Sequence, residues 1–241
     1  MIYVVGNARS GTNSIAKILK CANNTTVFHE GNVYPWLRLE EKGYKNEDCC
    51  SWITKYIPPQ WAKKAEGAGK IAVDSNHYIS PLIRQVHKLR PKIRFIYLLR
   101  NPADIIRSWM NLKFPMNDDF LTTTLYERYR WRPFPKEITR RFVRLCHYWR
   151  ATNEKINDSL VGTDHIAIKI EEIECQLQRI WEWAELEGGM EEAEARCSVR
   201  YNTRKSSLKP PFPYFDKWEK WRKDVYDEIV RSSSAFKYSG S

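Results

Sequence analysis

IYVVGNARSGTN, residues 2–13, is the stretch of the sequence that decides the fold class. Its first four residues are apolar and mostly β-branched, which predicts a buried strand of a parallel sheet over residues 2–5. A loop bounded by Gly6 and Gly11 follows, and the apolar side chains of residues 14–21 then have helical spacing. A strand, a glycine-bounded loop and a helix in this order are typical of a nucleotide-binding α/β unit.

The same alternation of strands and helices continues along the chain. Short apolar runs predict four further strands, over residues 25–28, 70–73, 93–99 and 165–170. Helical spacing predicts helices over residues 80–89, 102–110, 136–160, 171–186 and 215–230, with short helices around 37–41 and 50–56. We therefore expect an α/β fold, with one parallel central sheet flanked by helices, in a single domain over residues 1–241.

The composition restricts the class of partner. The formal net charge of +11 and the isoelectric point of about 9.3 favour anionic partners, without choosing between nucleotides, nucleic acids and sulfated or phosphorylated substrates. The six cysteines show neither a CxxC pair nor metal-ligand spacing, so we expect reduced thiols in a cytoplasmic protein and no metal site. No run of 18 apolar residues predicts a membrane span.

The loop after the first strand is predicted to bind an anion. Successive backbone N–H groups at such a loop point into one concavity, and the dipole of the following helix adds positive charge. Arg9 supplies a full charge, and its neighbours supply further hydrogen-bond donors: Ser10, Thr12, Asn13 and Ser14. The glycines have the GxxxxG spacing of a Walker loop, but Thr12-Asn13 stands where a kinase has Lys-Ser/Thr for phosphate and Mg²⁺.

A second candidate element covers residues 95–109. Arg100 lies at the carboxyl end of the strongest predicted strand, which is where ligands bind in open α/β sheets. Ser108 follows eight positions later, two turns into the predicted helix, so both side chains can face one phosphate group.

Together these two stretches resemble the sulfotransferases that use 3′-phosphoadenosine-5′-phosphosulfate (PAPS). Residues 8–13 are similar to that family's 5′-phosphosulfate loop, and residues 95–108 to its 3′-phosphate element: an apolar strand, Arg-Asn-Pro, and a serine eight residues after the arginine. The resemblance implies a P-loop NTPase-like sulfotransferase fold, PAPS as sulfuryl donor, PAP as product and no metal. It assigns the nucleotide to Arg9, Ser10, Gly11, Thr12, Asn13, Ser14, Arg100 and Ser108.

Two further parts of the chain resemble the same family. Residues 165–173 look like its late strand with an acidic continuation. Residues 201–206, YNTRKS, look like the basic loop that closes over the nucleotide, which assigns Arg204 and Lys205 to nucleotide binding.

The reaction needs a base, because an acceptor hydroxyl must lose its proton as it attacks sulfur. Glu30 follows the second predicted strand and resembles the basic glutamate of tyrosyl-protein and many bacterial sulfotransferases. His77 follows the third strand, one position from the register of the histidine in small-molecule sulfotransferases. Both remain open as the catalytic residue beside Arg9, with His29 and Asp74 as further alternatives.

The sequence thus predicts transfer of a sulfuryl group from PAPS to a hydroxyl or amine of a small-molecule, carbohydrate or other hydroxyl-bearing acceptor. A P-loop kinase acting on a small molecule is the first alternative, and the missing Lys-Ser/Thr argues against it. A basic nucleic-acid-binding protein is the second, and the spread of basic residues without a recognition motif argues against it.

Overall fold

The computed structural model describes residues 1–30, 59–112, 140–199 and 211–236. Its strands are β1 (Ile2–Gly6), β2 (Thr25–His29), β3 (Ile71–Ser75), β4 (Arg94–Leu99) and β5 (His165–Lys169). They form one parallel sheet in the order β2-β3-β1-β4-β5. After β1, the chain forms β2 and β3 on one side of β1 in the sheet, and then β4 and β5 on the other side. This change of direction makes the carboxyl end of β1 a topological switch point, where α/β sheets bind ligands.

The α-helices of the described residues are α1 (Thr12–Leu19), α2 (Gln60–Gly67), α3 (Ile83–Leu89), α4 (Pro102–Met110), α5 (Arg141–Leu160), α6 (Ile173–Ala184), α7 (Met190–Cys197) and α8 (Lys220–Tyr226). Short 3₁₀ turns cover His77–Leu82, Ile170–Glu172 and Phe215–Lys217, and a π-helical turn covers Asp227–Arg231. None of these helices is long and apolar enough to cross a membrane.

Two compact units divide the chain. The first contains Met1–Leu99 and Ser159–Thr203, and the second contains Arg100–Asp158 and Arg204–Ser241. The whole parallel sheet lies in the first unit. The arrangement of a single domain over residues 1–241 stays a prediction.

The first unit has a core on each face of the sheet. Ile2 and Val4 of β1 pack with α1, α6 and α7 on one face, because alternate side chains of a strand point the same way. On the opposite face, Ala62 and Ala65 of α2 pack against Ala72 of β3. The predicted parallel sheet with helices on both faces is therefore confirmed.

The second unit has an aromatic core of its own. Trp109 of α4 and Trp149 of α5 are almost completely buried there. Its helix α4 begins where the sequence predicts, because Pro102 occupies the first turn and the Asn101 side chain accepts a hydrogen bond from the Ala103 N–H at 2.9 Å. Local signals of this kind fix a helix start without help from the rest of the fold.

Several element boundaries differ from the sequence prediction. The helices α2 and α7 were not predicted, because their apolar faces are short and built largely of alanine. β3 extends to Ser75, since two polar residues at its end are buried in the sheet. The predicted helix over residues 215–230 is interrupted at Trp218, whose backbone is extended. The short helices predicted around 37–41 and 50–56 lie outside the described residues.

Candidate functional site

The loop between β1 and α1 is a tight turn with left-handed backbone. The N–H of Ser10 donates to the C=O of Asn7 at 3.1 Å, and Arg9 between them has a φ of 73°. Gly11 has a φ of 103°, and a Cβ there would lie 2.8 Å from Cγ1 of Ile170. The glycine is therefore required both by the backbone conformation and by the close packing of Ile170.

The first turn of α1 presents backbone N–H groups at the end of this loop. Ile15 makes the first intrahelical hydrogen bond, to the C=O of Gly11 at 3.0 Å, and no side chain caps the helix. The N–H groups of Thr12, Asn13 and Ser14 therefore have no partner within the helix, and the helix dipole adds partial positive charge beside them. Arg9, which is half-buried, adds a full charge to this anion-binding geometry.

Buried polar side chains of the loop also have unused hydrogen-bonding capacity. Among the described residues, the hydroxyl of Ser10 and both polar atoms of the Asn7 amide have no hydrogen-bond partner, although the two residues are only 0% and 2% exposed. Leaving a buried polar group unsatisfied costs about 1–3 kcal/mol. Buried polar groups are usually paired in folded proteins, so these two side chains are exceptions within the loop.

Two serines of the first unit hold the loop by hydrogen bonds. The hydroxyl of Ser80 accepts a hydrogen bond from the N–H of Gly6 at 3.0 Å and donates one to the C=O of Gly6 at 2.9 Å. Ser75, at the end of β3, donates to the C=O of Thr12 at 2.7 Å. Both ends of the loop are thus tied to the end of β3 and to the 3₁₀ turn after it, which also contains His77.

Glu30 and His77, the two candidate bases, lie side by side. The Nδ1 of His77 is 3.2 Å from Oε1 of Glu30, and Nε2 of His29 is 3.8 Å from the same oxygen. All three side chains are partly exposed, at 18% for His77, 31% for His29 and 33% for Glu30. Within the described residues the second carboxylate oxygen, Oε2, has no hydrogen-bond or ion-pair partner and can accept a proton.

The backbone explains how these side chains meet. Glu30 follows β2 directly, donates its N–H to the C=O of Ser75 at 3.1 Å and then turns with a φ of 56°. Asn76 accepts from the Tyr78 N–H at 3.1 Å and so starts the 3₁₀ turn that carries His77. The ring of His77 packs against the ring of Tyr78 with their centroids 4.0 Å apart, which restricts its rotation.

The surroundings shift the pKa of two members of this cluster. The pKa of the Glu30 carboxyl is lowered, chiefly because the close His77 nitrogen stabilises the carboxylate, and burial opposes this only partly. The pKa of His29 is also lowered, mainly by burial, with Glu30 acting in the opposite direction. Near neutral pH the cluster therefore contains an ionised carboxylate and a neutral His29 imidazole.

His29 joins the cluster of Glu30 and His77 to the loop. Oγ1 of Thr12, the first residue of α1, lies 3.2 Å from Nε2 of His29. Loop and base therefore belong to one site at the carboxyl ends of β1, β2 and β3. Sequence reasoning did not find this contact, because no local pattern reveals that β2 and α1 bring residues 12 and 29 together.

The remaining predicted residues have different surroundings. Asp74 is completely buried and accepts a hydrogen bond from Asn76, so it is poorly placed to meet an acceptor. Arg100 follows β4 and Ser108 lies in α4; both are half-buried and belong to the second unit. Arg204 and Lys205 lie outside the described residues. No group of three His, Cys, Asp or Glu side chains within those residues could hold a metal ion.

A parallel sheet flanked by helices, with a glycine-bounded loop between its first strand and first helix, defines the class of this chain as a parallel α/β protein. Comparison with protein families is more specific: residues 1–157 match the model of the sulfotransferase domain. The chain belongs to the sulfotransferase family and is therefore a transferase. No curated protein matches its sequence closely.

Two solved structures with a similar fold are sulfotransferase domains. One is the sulfotransferase domain from the curacin biosynthetic pathway, with 12% identity, a TM-score of 0.52, and coverage of 95% of this chain and 89% of that one. Another is the sulfotransferase domain from the Synechococcus PCC 7002 olefin synthase, with 13% identity, a TM-score of 0.53, and coverage of 99% and 92%. At these identities the likeness extends to the fold alone.

Proposed function

We propose that the protein transfers a sulfuryl group from PAPS to a hydroxyl or amine of a small-molecule or carbohydrate acceptor. The observation that carries this proposal is the contact between Thr12 of the anion loop and His29 beside Glu30, which combines an anion site and an ionised base in one place. The family membership supports a sulfuryl donor, and the resemblance of the loop to the 5′-phosphosulfate loop specifies PAPS.

The loop would bind the 5′-phosphosulfate and stabilise charge during the reaction. As the bond between sulfur and the bridging oxygen breaks, negative charge develops on that oxygen of PAP. Arg9 and the N–H groups at the start of α1 are preorganised to stabilise this charge. Arg100 and Ser108 are assigned to the 3′-phosphate by the resemblance of residues 95–108, and Arg204 and Lys205 to the basic loop over the nucleotide.

Glu30 is the residue that we assign as base. The O–H bond of the acceptor breaks, its proton moves to Oε2 of Glu30, and the acceptor oxygen forms the new bond to sulfur while PAP leaves. His77 contacts the other carboxylate oxygen and keeps Glu30 ionised before the reaction. In this proposal His77 acts as a partner of Glu30 and not as the base.

A product assay with Arg9→Ala tests the proposal. Wild-type protein incubated with PAPS and a panel of hydroxyl and amine acceptors should give a sulfated product and PAP, both detected by mass spectrometry. Because Arg9 is placed where charge grows, Arg9→Ala should lower kcat and raise KM for PAPS together. Arg84→Ala, on helix α3, is the control and should retain activity.

Two results would contradict the proposal. Phosphorylated products from ATP and Mg²⁺ instead of sulfated ones would indicate a kinase. A change in KM alone for Arg9→Ala would mean that Arg9 binds the ground state without stabilising the transition state.

A further inference from the structure

His29 lies between the anion loop and the base. Its Nε2 is 3.2 Å from Oγ1 of Thr12 and 3.8 Å from Oε1 of Glu30. It is the last residue of β2, and alternation along the strand places it on the same side as Val27, which packs in the core that α1 helps to form. The position of the imidazole beside Thr12 is therefore fixed by the strand and not by a flexible loop.

The charge of Glu30 decides which nitrogen of His29 carries the proton. A neutral imidazole has one N–H group, on either Nδ1 or Nε2. The ionised carboxylate near Nε2 favours the proton on that nitrogen, because it attracts the partial positive charge of an N–H hydrogen and repels the lone pair of a bare nitrogen. The Nε2–H group then donates to Oγ1 of Thr12, which is the closer of its two neighbours.

This hydrogen bond determines the direction of the Thr12 hydroxyl proton. A threonine oxygen that accepts from His29 must donate its own proton elsewhere. In the part of the chain that the structure describes, the Thr12 hydroxyl has no other hydrogen-bond partner. The residue lies at the first turn of α1, whose N–H groups without a partner in the helix form an anion-binding geometry.

We propose that His29 is a positioning residue, which donates to Thr12 and directs the Thr12 hydroxyl toward an anionic oxygen of the sulfuryl donor in the loop. This inference rests on the proposed function, since it needs an anionic ligand beside Thr12. It gives His29 a role distinct from that of a base, for which Glu30 offers a free carboxylate oxygen. It also connects the ionisation of Glu30 to the hydrogen bonding of the loop.

Calorimetry with PAP tests the role of His29 through a double-mutant cycle. His29→Phe keeps a ring but removes the N–H, and should weaken PAP binding by about 2- to 12-fold, the range for one neutral hydrogen bond. His29→Gln places an N–H group at a similar reach and should restore affinity to within about twofold of wild type. Thr12→Val should weaken PAP binding as His29→Phe does, and the double variant should be no weaker than Thr12→Val alone.

A matched control is available at the opposite edge of the sheet. His165 begins β5, and its Nδ1 lies 3.2 Å from the hydroxyl of Thr163, so it repeats the histidine–threonine contact away from the loop. His165→Phe should leave PAP affinity unchanged. Melting temperatures of all variants would show whether each is folded.

The outcomes separate this inference from the proposed function. If wild-type protein does not bind PAP, the proposed function itself is wrong. If wild type binds PAP but His29→Phe binds equally well, or weakens binding further in the Thr12→Val background, the role of His29 is wrong. A ¹⁵N NMR measurement on the wild type needs no variant: an Nδ1–H tautomer of His29 with PAP bound would also overturn the inference.

Discussion

At the residue scale, the central feature is a carboxylate with a proton-accepting oxygen beside an anion loop. The Oε1 atom of Glu30 faces two imidazoles, while Oε2 has no hydrogen-bond or ion-pair partner among the described residues. A neighbouring histidine usually suggests a histidine base with a supporting carboxylate. Here the lowered pKa of Glu30 means that its carboxylate is ionised near neutral pH.

Glu30→Ala should lower turnover by about 10²–10⁴-fold, the usual contribution of a positioned base. PAP affinity should change little, because the base contacts the acceptor and not the nucleotide. Steady-state kinetics with calorimetry on the same preparation would measure both quantities. Glu191→Ala, which removes an exposed carboxylate on α7, is the control. An active Glu30→Ala together with an inactive His77→Ala would move the base to His77.

His77→Phe should move the acid limb of the kcat/KM profile to higher pH. The contact with His77 is the main cause that lowers the pKa of Glu30, while burial raises it. Removing the contact leaves the effect of burial, so the pKa rises and the carboxylate becomes protonated at a higher pH than in wild type. Phenylalanine keeps the packing against Tyr78, which limits other changes. An unchanged acid limb would show that His77 does not hold Glu30 in its ionised form.

At the element scale, the sequence predicted what local patterns determine. The strand, loop and helix over residues 2–21 were recognised because an apolar run, two glycines and helical spacing follow one another. The start of α4 was recognised from Asn101 and Pro102. The sequence did not predict α2 and α7, because their own apolar periodicity is weak. Packing stabilises them instead: α2 packs against β3, and α7 packs against α1 and α6.

The candidate site was predicted only in part for a related reason. From the sequence, Glu30, His77 and the loop are predicted as separate features, and Glu30 and His77 are alternative candidates for the base. Their contact depends on the order β2-β3-β1, which sets the ends of β2 and β3 side by side. Strand order arises from long-range pairing, and no short stretch of sequence encodes it. The role of His29 depends on the same pairing.

The element formed by the end of β4 and helix α4 carries a prediction about nucleotide selectivity. Arg100→Ala should weaken PAP binding by about 10- to 100-fold, because a hydrogen bond to a charged group contributes about 1.5–3 kcal/mol. Binding of adenosine-5′-monophosphate, which lacks the 3′-phosphate, should hardly change. Ser108→Ala should act in the same direction but less, and the two effects should not be additive.

Arg107 provides the matched control for this experiment. It lies in the same helix, and its guanidinium stacks on the ring of Tyr214 at 3.5 Å within the second unit. Arg107→Ala removes the same charge, but it should reduce the affinity for both nucleotides about equally, if at all. If Arg100→Ala also reduces the affinity for both nucleotides equally, Arg100 does not bind the 3′-phosphate.

At the scale of the whole molecule, the fold persists at low sequence identity. The solved sulfotransferase domains share only 12% and 13% identity with the chain over nearly its whole length. What is shared at this distance is the parallel sheet and its helices, and a shared fold does not define the acceptor. The net charge of +11 is likewise a property of the whole chain, and it favours anionic ligands without selecting one.

Thermal unfolding with three anionic ligands distinguishes the classes of function that this charge allows. A ligand at about 100 times its dissociation constant stabilises the folded state by about 2.7 kcal/mol, which corresponds to a rise in Tm of roughly 5–11 °C for a protein of this size. We expect PAP to produce such a rise. ATP with Mg²⁺ at the same concentration should produce less, because the loop has Thr12-Asn13 where a kinase binds phosphate and metal. A duplex oligonucleotide should stabilise the protein only at low salt, as expected for nonspecific attraction to the positive charge of the protein.

Two outcomes would favour another class of function. Equal or greater stabilisation by ATP with Mg²⁺ would favour a kinase, and stabilisation by the oligonucleotide that persists at physiological salt would favour a nucleic-acid-binding protein.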